Sequence, residues 1–306
     1  MLEMAKKSML IKKYKNSAEL AVMALPGFLW FLIFSYIPMF GIIIAFKDFK
    51  YNLGIFKSKW VGFDNFKYLF GSNDAFRIVR NTVCYNIAFI LLGMIAAIAI
   101  AILLDSLSKR FLVKIYQTAM FVPYFISWVL VAYIAQALFE YNGGLVNTLI
   151  GKKITWYTEP KPWPFIIITA NLWKSIGYNV ILYYGAIMGI DSSLYEAAEI
   201  DGATKWKMIR NITIPMLKPT MIILGLMGIG NMMRADFGLF YYVPNNSGAL
   251  YASTDVLDTY IYRILKVSGD ISGGSAAGLF QSVVGLLLVV AANAAVRKTD
   301  SENALY

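Results

Sequence analysis

The sequence predicts an all-α integral membrane protein with six transmembrane helices, on three observations. Of its 306 residues, 58% are hydrophobic and 15% charged, and the mean hydropathy is +0.59; soluble domains carry far more charge. The apolar residues are gathered into six runs, each long enough to cross about 30 Å of hydrocarbon. Lys and Arg are concentrated between those runs, so the formal net charge of +10 reads as topology control and attraction to lipid headgroups, with no nucleic-acid partner.

Taken in order, the N-terminal tail (1–19) carries Lys6, Lys7, Lys12, Lys13 and Lys15. Leu20 to Phe46 follows without a charge. That run is too long for a secretion signal's core and lacks a small-residue cleavage site, so it reads as a retained helix over 20–46. Pro26 and Pro38 kink it or mark its ends. After a polar and aromatic stretch, with Trp60 as an interfacial anchor, further spans are expected at 81–104, 115–139, 162–190, 220–243 and 271–296. Together they form one transmembrane domain, 20–296, followed by a tail, 297–306. Six spans place both termini on one side, and the density of Lys and Arg in short segments assigns that side to the cytoplasm. Closely spaced Gly and Ala in 93–101 and 276–285 favour a tightly packed bundle.

Several chemistries are excluded. Cys84 is the only cysteine and lies in an apolar run, where a packed thiol is expected, so no internal disulfide can form. There is no histidine, which removes His-based catalysis and the usual metal sites. No Gly-x-x-x-x-Gly-Lys-Ser/Thr segment occurs, so any ATP is handled by another chain. Neither a cofactor nor a metal is expected, and a membrane enzyme finds no thiol pair or carboxylate cluster to use.

The most patterned polar segment is the loop 191–219, expected on the cytoplasmic side. Ser193 and Glu196 have capping-box spacing, so a helix is expected to start there. Gly202 suits a left-handed helix end. A second helix should begin near Ala203, with Trp206, Ile209 and Ile212 on one face and Lys205, Lys207 and Arg210 on the other. Pro215 should stop it. From physics alone, two short helices with a small-residue face are either a docking element or an amphipathic turn lying on lipid.

The same block resembles the EAA loop of ABC-importer permeases. Glu196, Ala197, Ala198, Asp201, Gly202, Ala203, Ile212 and Pro215 match its pattern, and Ile214 replaces the usual Leu. The likeness extends to Leu25–Phe28, Tyr36–Gly41, Ala45–Asp48, Trp60–Phe66, Asn81–Thr82, Phe121–Trp128, Asp258–Arg263 and Gly278–Gly285, which are similar to carbohydrate-type permeases of the polysaccharide and aldouronate import subgroup. Tyr124 stands where that subgroup has His. The resemblance implies a type I ABC importer permease fold and alternating access driven by a separate ATPase that receives the loop. It also implies a second homologous permease, two ATPase copies, an extracytoplasmic binding protein and an oligosaccharide substrate. A self-contained secondary transporter or channel is the alternative. It would need coupling-ion carboxylates within the spans, where only Asp236 is found.

Lys174, Arg234 and Asp236 are the ionisable Lys, Arg, Asp or Glu side chains well within the six expected spans. Each costs about 2.5–3.5 kcal/mol at a helix centre on insertion scales, so they are expected to face the interior. Counted inward from the outer ends of their spans they lie at similar depth. Two readings remain open, an ion-paired triad that only joins two helices, or a sugar route completed by Trp173, Asn231, Phe237 and Tyr241. The net positive charge of the three would favour a uronate.

Overall fold

In lipid only a helix or a closed barrel satisfies its own backbone, and the apolar runs of this chain are helical. The computed structural model describes residues 19–71, 73–299 and 304; the five N-terminal lysines named above lie outside the described residues. Helix α1 (Glu19–Phe46) passes into a π turn at Leu32–Tyr36 and then into a 3-10 helix at Ile37–Phe46, with Pro38 in its first turn. Changes of pitch at this point accommodate a residue that has no donor and whose ring crowds the preceding turn. A two-stranded hairpin, β1 (Lys47–Asp48) and β2 (Lys59–Trp60), pairs antiparallel with Lys47 opposite Trp60. Helix α2 (Asp64–Gly71) leads to α3 (Asn73–Asp105), then α4 (Arg110–Phe125), α5 (Trp128–Phe139) and the short α6 (Leu145–Ile150). Next come α7 (Trp163–Met188), α8 (Ser192–Ile200), α9 (Lys205–Met216), α10 (Lys218–Gly230), α11 (Phe237–Tyr242), α12 (Leu257–Arg263) and α13 (Ile271–Thr299).

Helices α1, α3, α7 and α13 are each long and apolar enough to cross a membrane, and two bent pairs raise the number to six if each is one span. One such pair corrects the continuous span expected at 115–139: α4 and α5 meet at 97°. Pro123 lies inside α4, Ile126 and Ser127 are extended, and the Ser127 hydroxyl accepts the Leu130 N–H at 3.4 Å to start α5. The other pair is α9 and α10, bent by 53°, so the span expected at 220–243 is corrected to one that starts earlier and ends at Gly230; Asn231–Asp236 is not helical before α11 begins.

Helix α7 is the centre of the bundle, packed along α3 and against α4. Trp163, Ile167, Leu239 and Val256 bury one end of the core, Ala97, Ala101, Val180 and Leu217 the other, and Ile78, Leu257 and Ala277 join α3, α12 and α13. The segment 250–259 is strapped to α3: Asn81 donates to the carbonyls of Ala252 and Asp255, and Leu257 N–H donates to the Thr82 hydroxyl at 3.0 Å. Fully buried Asp255 is paired with Arg263 at 2.5 Å. Cys84, expected to be packed, is exposed.

The approach of α4 to α7 depends on Gly177, where an added Cβ would collide with the backbone of Met120 and Phe121. Gly185, two turns along α7, faces open space. Gly177→Ala is therefore expected to cost about 1–3 kcal/mol through forced separation of the helices, and Gly185→Ala to be tolerated. Thermal unfolding of the two detergent-solubilised variants checks this; equal melting temperatures would contradict it.

Candidate functional site

Two places combine irregular backbone with polar side chains, the pair of helix breaks at 126–127 and 231–236 and the 191–219 loop. The first break, 231–236, exposes carbonyls and N–H groups that hydrocarbon cannot satisfy, and three helices supply the missing partners. Asn86 of α3 donates to the carbonyls of Met232 and Arg234, both at 3.0 Å. Gln281 of α13 donates to the Met233 carbonyl at 2.7 Å and to Asp258 Oδ2 at 3.0 Å. The same Asp258 oxygen accepts the Ala235 N–H at 2.6 Å. Asp236 then caps α11, accepting the N–H groups of Gly238 and Leu239 at 2.9 and 3.3 Å.

The second break, between α4 and α5, lies against the first. Trp128 Nε1 donates to Asp236 Oδ2 at 2.6 Å, and its ring fills the space a side chain at Gly238 would need. Lys174 reaches the frayed end of α4, donating to the carbonyls of Tyr124 at 2.7 Å, Ile126 at 2.5 Å and Pro123 at 3.4 Å. Its ammonium also sits 5.3 Å from the Trp128 ring and 5.8 Å from the Tyr124 ring. The ion-paired triad of Lys174, Arg234 and Asp236 does not form: no ion pair joins them among the described residues. Lys174 is occupied with orphaned carbonyls, and Trp128 is what touches both it and Asp236.

Other residues of the expected sugar route divide. Phe237 stacks on Tyr241 at 4.8 Å between ring centroids, and Tyr262 lies within 4.9 and 5.2 Å of the pair. Asn231 donates to the Met227 carbonyl of its own helix at 3.1 Å. Trp173 turns away and lines an apolar groove of about 490 Å³ with Ala170, Phe165 and Trp156.

A cavity of about 240 Å³, apolar over most of its wall but carrying a row of polar side chains, went unread in the sequence. It is lined by Asn171, Ser175, Asn179 and Tyr183 of α7, at four-residue spacing on one helix face, opposite Gly225 and Gly228 of α10. Tyr183, at the inner end of this row, is 2% exposed. Asn86, Gln281 and Asp258 were missed as well. The signal was present as uncharged polar residues inside apolar runs, and Asp258 fell between two expected spans. Among the described residues no group of three or more Cys, Asp or Glu side chains is placed to hold a metal.

The loop is a helical hairpin of α8 and α9. Its first helix is capped by Asp191, not by a Ser193–Glu196 box. The Ser193 backbone N–H, 2.9 Å away, holds the Asp191 carboxyl below the ordinary carboxylate range. Gly202 has φ +71°, and the N–H groups of Gly202 and Ala203 close the helix end on the carbonyls of Glu199 and Ala198. Thr204 starts α9, and the hydroxyls of Tyr195 and Thr213 meet at 2.9 Å across the hairpin. Pro215 does not stop α9; a π turn at Ile209–Thr213 admits it, and the bend falls at buried Leu217. Met208, Thr213 and Leu217 form the buried stripe in place of Trp206. Glu196, Ala197, Asp201, Gly202 and Pro215 are exposed and Ala198, Ala203 and Ile212 half-buried, beside Ile200 at 87% and Trp206 at 68% exposure.

The chain as a whole is similar to known proteins. Protein LplB of Bacillus subtilis (strain 168) is 36% identical over 292 residues, covering 94% of this chain and 91% of that one. The polygalacturonan/rhamnogalacturonan transport system permease protein YteP of the same organism is 34% identical over 301 residues, covering 97% and 93%. Among solved structures, a bacterial ABC transporter involved in the import of the acidic polysaccharide alginate matches with a TM-score of 0.87 at 34% identity, over 95% of this chain and 99% of that one. Another, a bacterial alginate ABC transporter in complex with an alginate pentasaccharide-bound periplasmic protein, matches with a TM-score of 0.85. Residues 89–300 match the family described as binding-protein-dependent transport system inner membrane component. With that match over more than half its length and the relatives' identity over nearly all of it, this chain belongs to that family, as a multi-pass membrane permease of the ABC-transporter type.

Proposed function

We propose that this permease carries an acidic oligosaccharide across the plasma membrane by alternating access. The observation that carries the reading is the meeting of two helix breaks, with Lys174, Trp128 and Asp236 held at their junction. Irregular backbone at membrane depth is retained where it lines a route for a polar solute. Lys174 supplies a positive field, the Phe237–Tyr241–Tyr262 cluster supplies faces for sugar rings, and the ladder from Asn171 to Tyr183 supplies neutral partners for hydroxyls. Arg234, Asn231 and Asp236 complete the polar lining. Relatives named for polygalacturonan and alginate support an acidic substrate. A self-contained ion-coupled transporter is disfavoured, because Asp236 and Asp258 are both engaged in holding the break.

Movement is driven from outside the chain. A second, homologous permease, two ATPase copies and an extracytoplasmic binding protein complete the importer, and ATP hydrolysis resides in the ATPase. Exposed Glu196, Ala197, Asp201 and Gly202, with Ile200 and Trp206, present the surface to that ATPase. Coupling follows if the docked loop contacts one conformational state better than the other. Both termini and the loop are cytoplasmic.

Three outcomes are expected. With Cys84 replaced, a cysteine at position 205 should resist an impermeant thiol reagent in intact cells; labelling from outside would reverse the topology. Ala197→Trp, at an exposed position, should abolish ATPase co-purification and uptake while membrane insertion is unchanged, and full transport would remove the loop from coupling. Lys174→Gln keeps two N–H donors near the α4 carbonyls but loses the charge, and should reduce uptake of a uronate-bearing oligosaccharide by about tenfold relative to its carboxyl-reduced counterpart. Equal uptake of both would show that the substrate's acidity is not read here.

A further inference from the structure

A separate cavity of about 230 Å³ opens at the outer end of the seam between α3 and α7. Arg80 and Cys84 of α3 line it opposite Pro164 and Ile168 of α7, with Ser253 from the strapped segment. Its walls are fixed. Asn81 is buried and donates to the carbonyls of Ala252 at 3.3 Å and Asp255 at 3.1 Å, and the Tyr85 hydroxyl donates to the Ser253 carbonyl at 2.8 Å. A guanidinium carries five donors in a rigid fork. That of Arg80 makes one hydrogen bond, to Asn81 Oδ1 at 3.2 Å, and no carboxylate lies within ion-pairing distance among the described residues.

The two cavities of this seam follow one another. Arg80 and Cys84 lie level with Pro164 and Ile168, and deeper along the same parallel helices Phe89 and Met94 lie level with Asn171 and Asn179 of the polar ladder. Resting on the proposed import of an acidic saccharide, we infer that Arg80 is the outermost specificity contact of the route and receives the sugar's carboxylate as it enters. Its unused fork matches a carboxylate with two parallel hydrogen bonds. A phospholipid phosphate fits the same fork. Its acyl chains, however, would run inward over Asn171, Ser175 and Asn179 and leave amide and hydroxyl groups against hydrocarbon, which is costly. A saccharide brings hydroxyls to those positions.

The test uses the complete importer in liposomes, with its binding protein delivering a uronate-bearing oligosaccharide or the carboxyl-reduced form of the same length. Arg80→Gln should lower acidic uptake about tenfold and leave neutral uptake within about twofold, and Arg80→Lys should restore part of the difference, having charge without the fork. Cys84, in the same cavity, gives a readout independent of turnover: the acidic saccharide should slow its reaction with a thiol reagent in the wild type and not in Arg80→Gln. Equal loss of both sugars, or no change in either, overturns the assignment. A defect seen only in liposomes containing anionic lipid, and absent in phosphatidylcholine alone, gives Arg80 to the lipid and also overturns it. If Arg80→Gln is silent while Lys174→Gln still lowers acidic uptake, the entrance contact is wrong and the proposed function stands. If the wild-type complex takes up neither saccharide, both fall.

Discussion

A backbone that leaves its helix inside a bilayer must find every lost hydrogen bond within the protein. The rest of this structure follows from how the break at 231–236 meets that demand. Asn86, Gln281 and Asp258 reach it from α3, α13 and α12, so the break is held by three elements distant in sequence. The second break is closed by Lys174 in the same manner. Each satisfies local backbone and also fixes which helices are neighbours.

The position of these breaks matters for coupling. Helix α10 is a thirteen-residue helix that starts at the bend following α9 and ends at Gly230, where the irregular segment begins. Leu217, fully buried at that bend, anchors its lower end in the core. On the proposed function, a displacement of the α8–α9 hairpin would reach the break through this helix, and Gly228, tight against Ile90, sets how closely the helix approaches α3. Such an arrangement transmits position, in contrast to a flexible linker, which dissipates it.

Much of this was legible in the sequence, for reasons specific to each part. Apolar runs gave the helices because lipid leaves few alternatives, and Gly202 announced its own left-handed geometry, which the structure has at φ +71°. The breaks were not legible from hydropathy, since Ile126–Ser127 and Asn231–Asp236 interrupt geometry without interrupting apolar composition for long. The Asp191 cap was missed because Ser193 and Glu196 offer an equally regular spacing two residues on. Charges within the spans pointed to Lys174 and Asp236, which Trp128 joins, but to the wrong contacts for each. Lys174 was weighed against other ions, whereas its strongest partners are carbonyl oxygens, which no residue letter displays.

Those carbonyls have a consequence for selectivity. An ammonium has three donors, and here Pro123, Tyr124 and Ile126 occupy all three. On the proposed function, Lys174 would act on a passing anion through its field, with no directed bond left to give. A field sums over charge and distance and is blind to which face of a sugar ring bears the carboxylate. On the proposed function, uronates epimeric at the carboxylate-bearing carbon present the same charge to it, so telling them apart would fall to the neutral amides and hydroxyls of the α7 face.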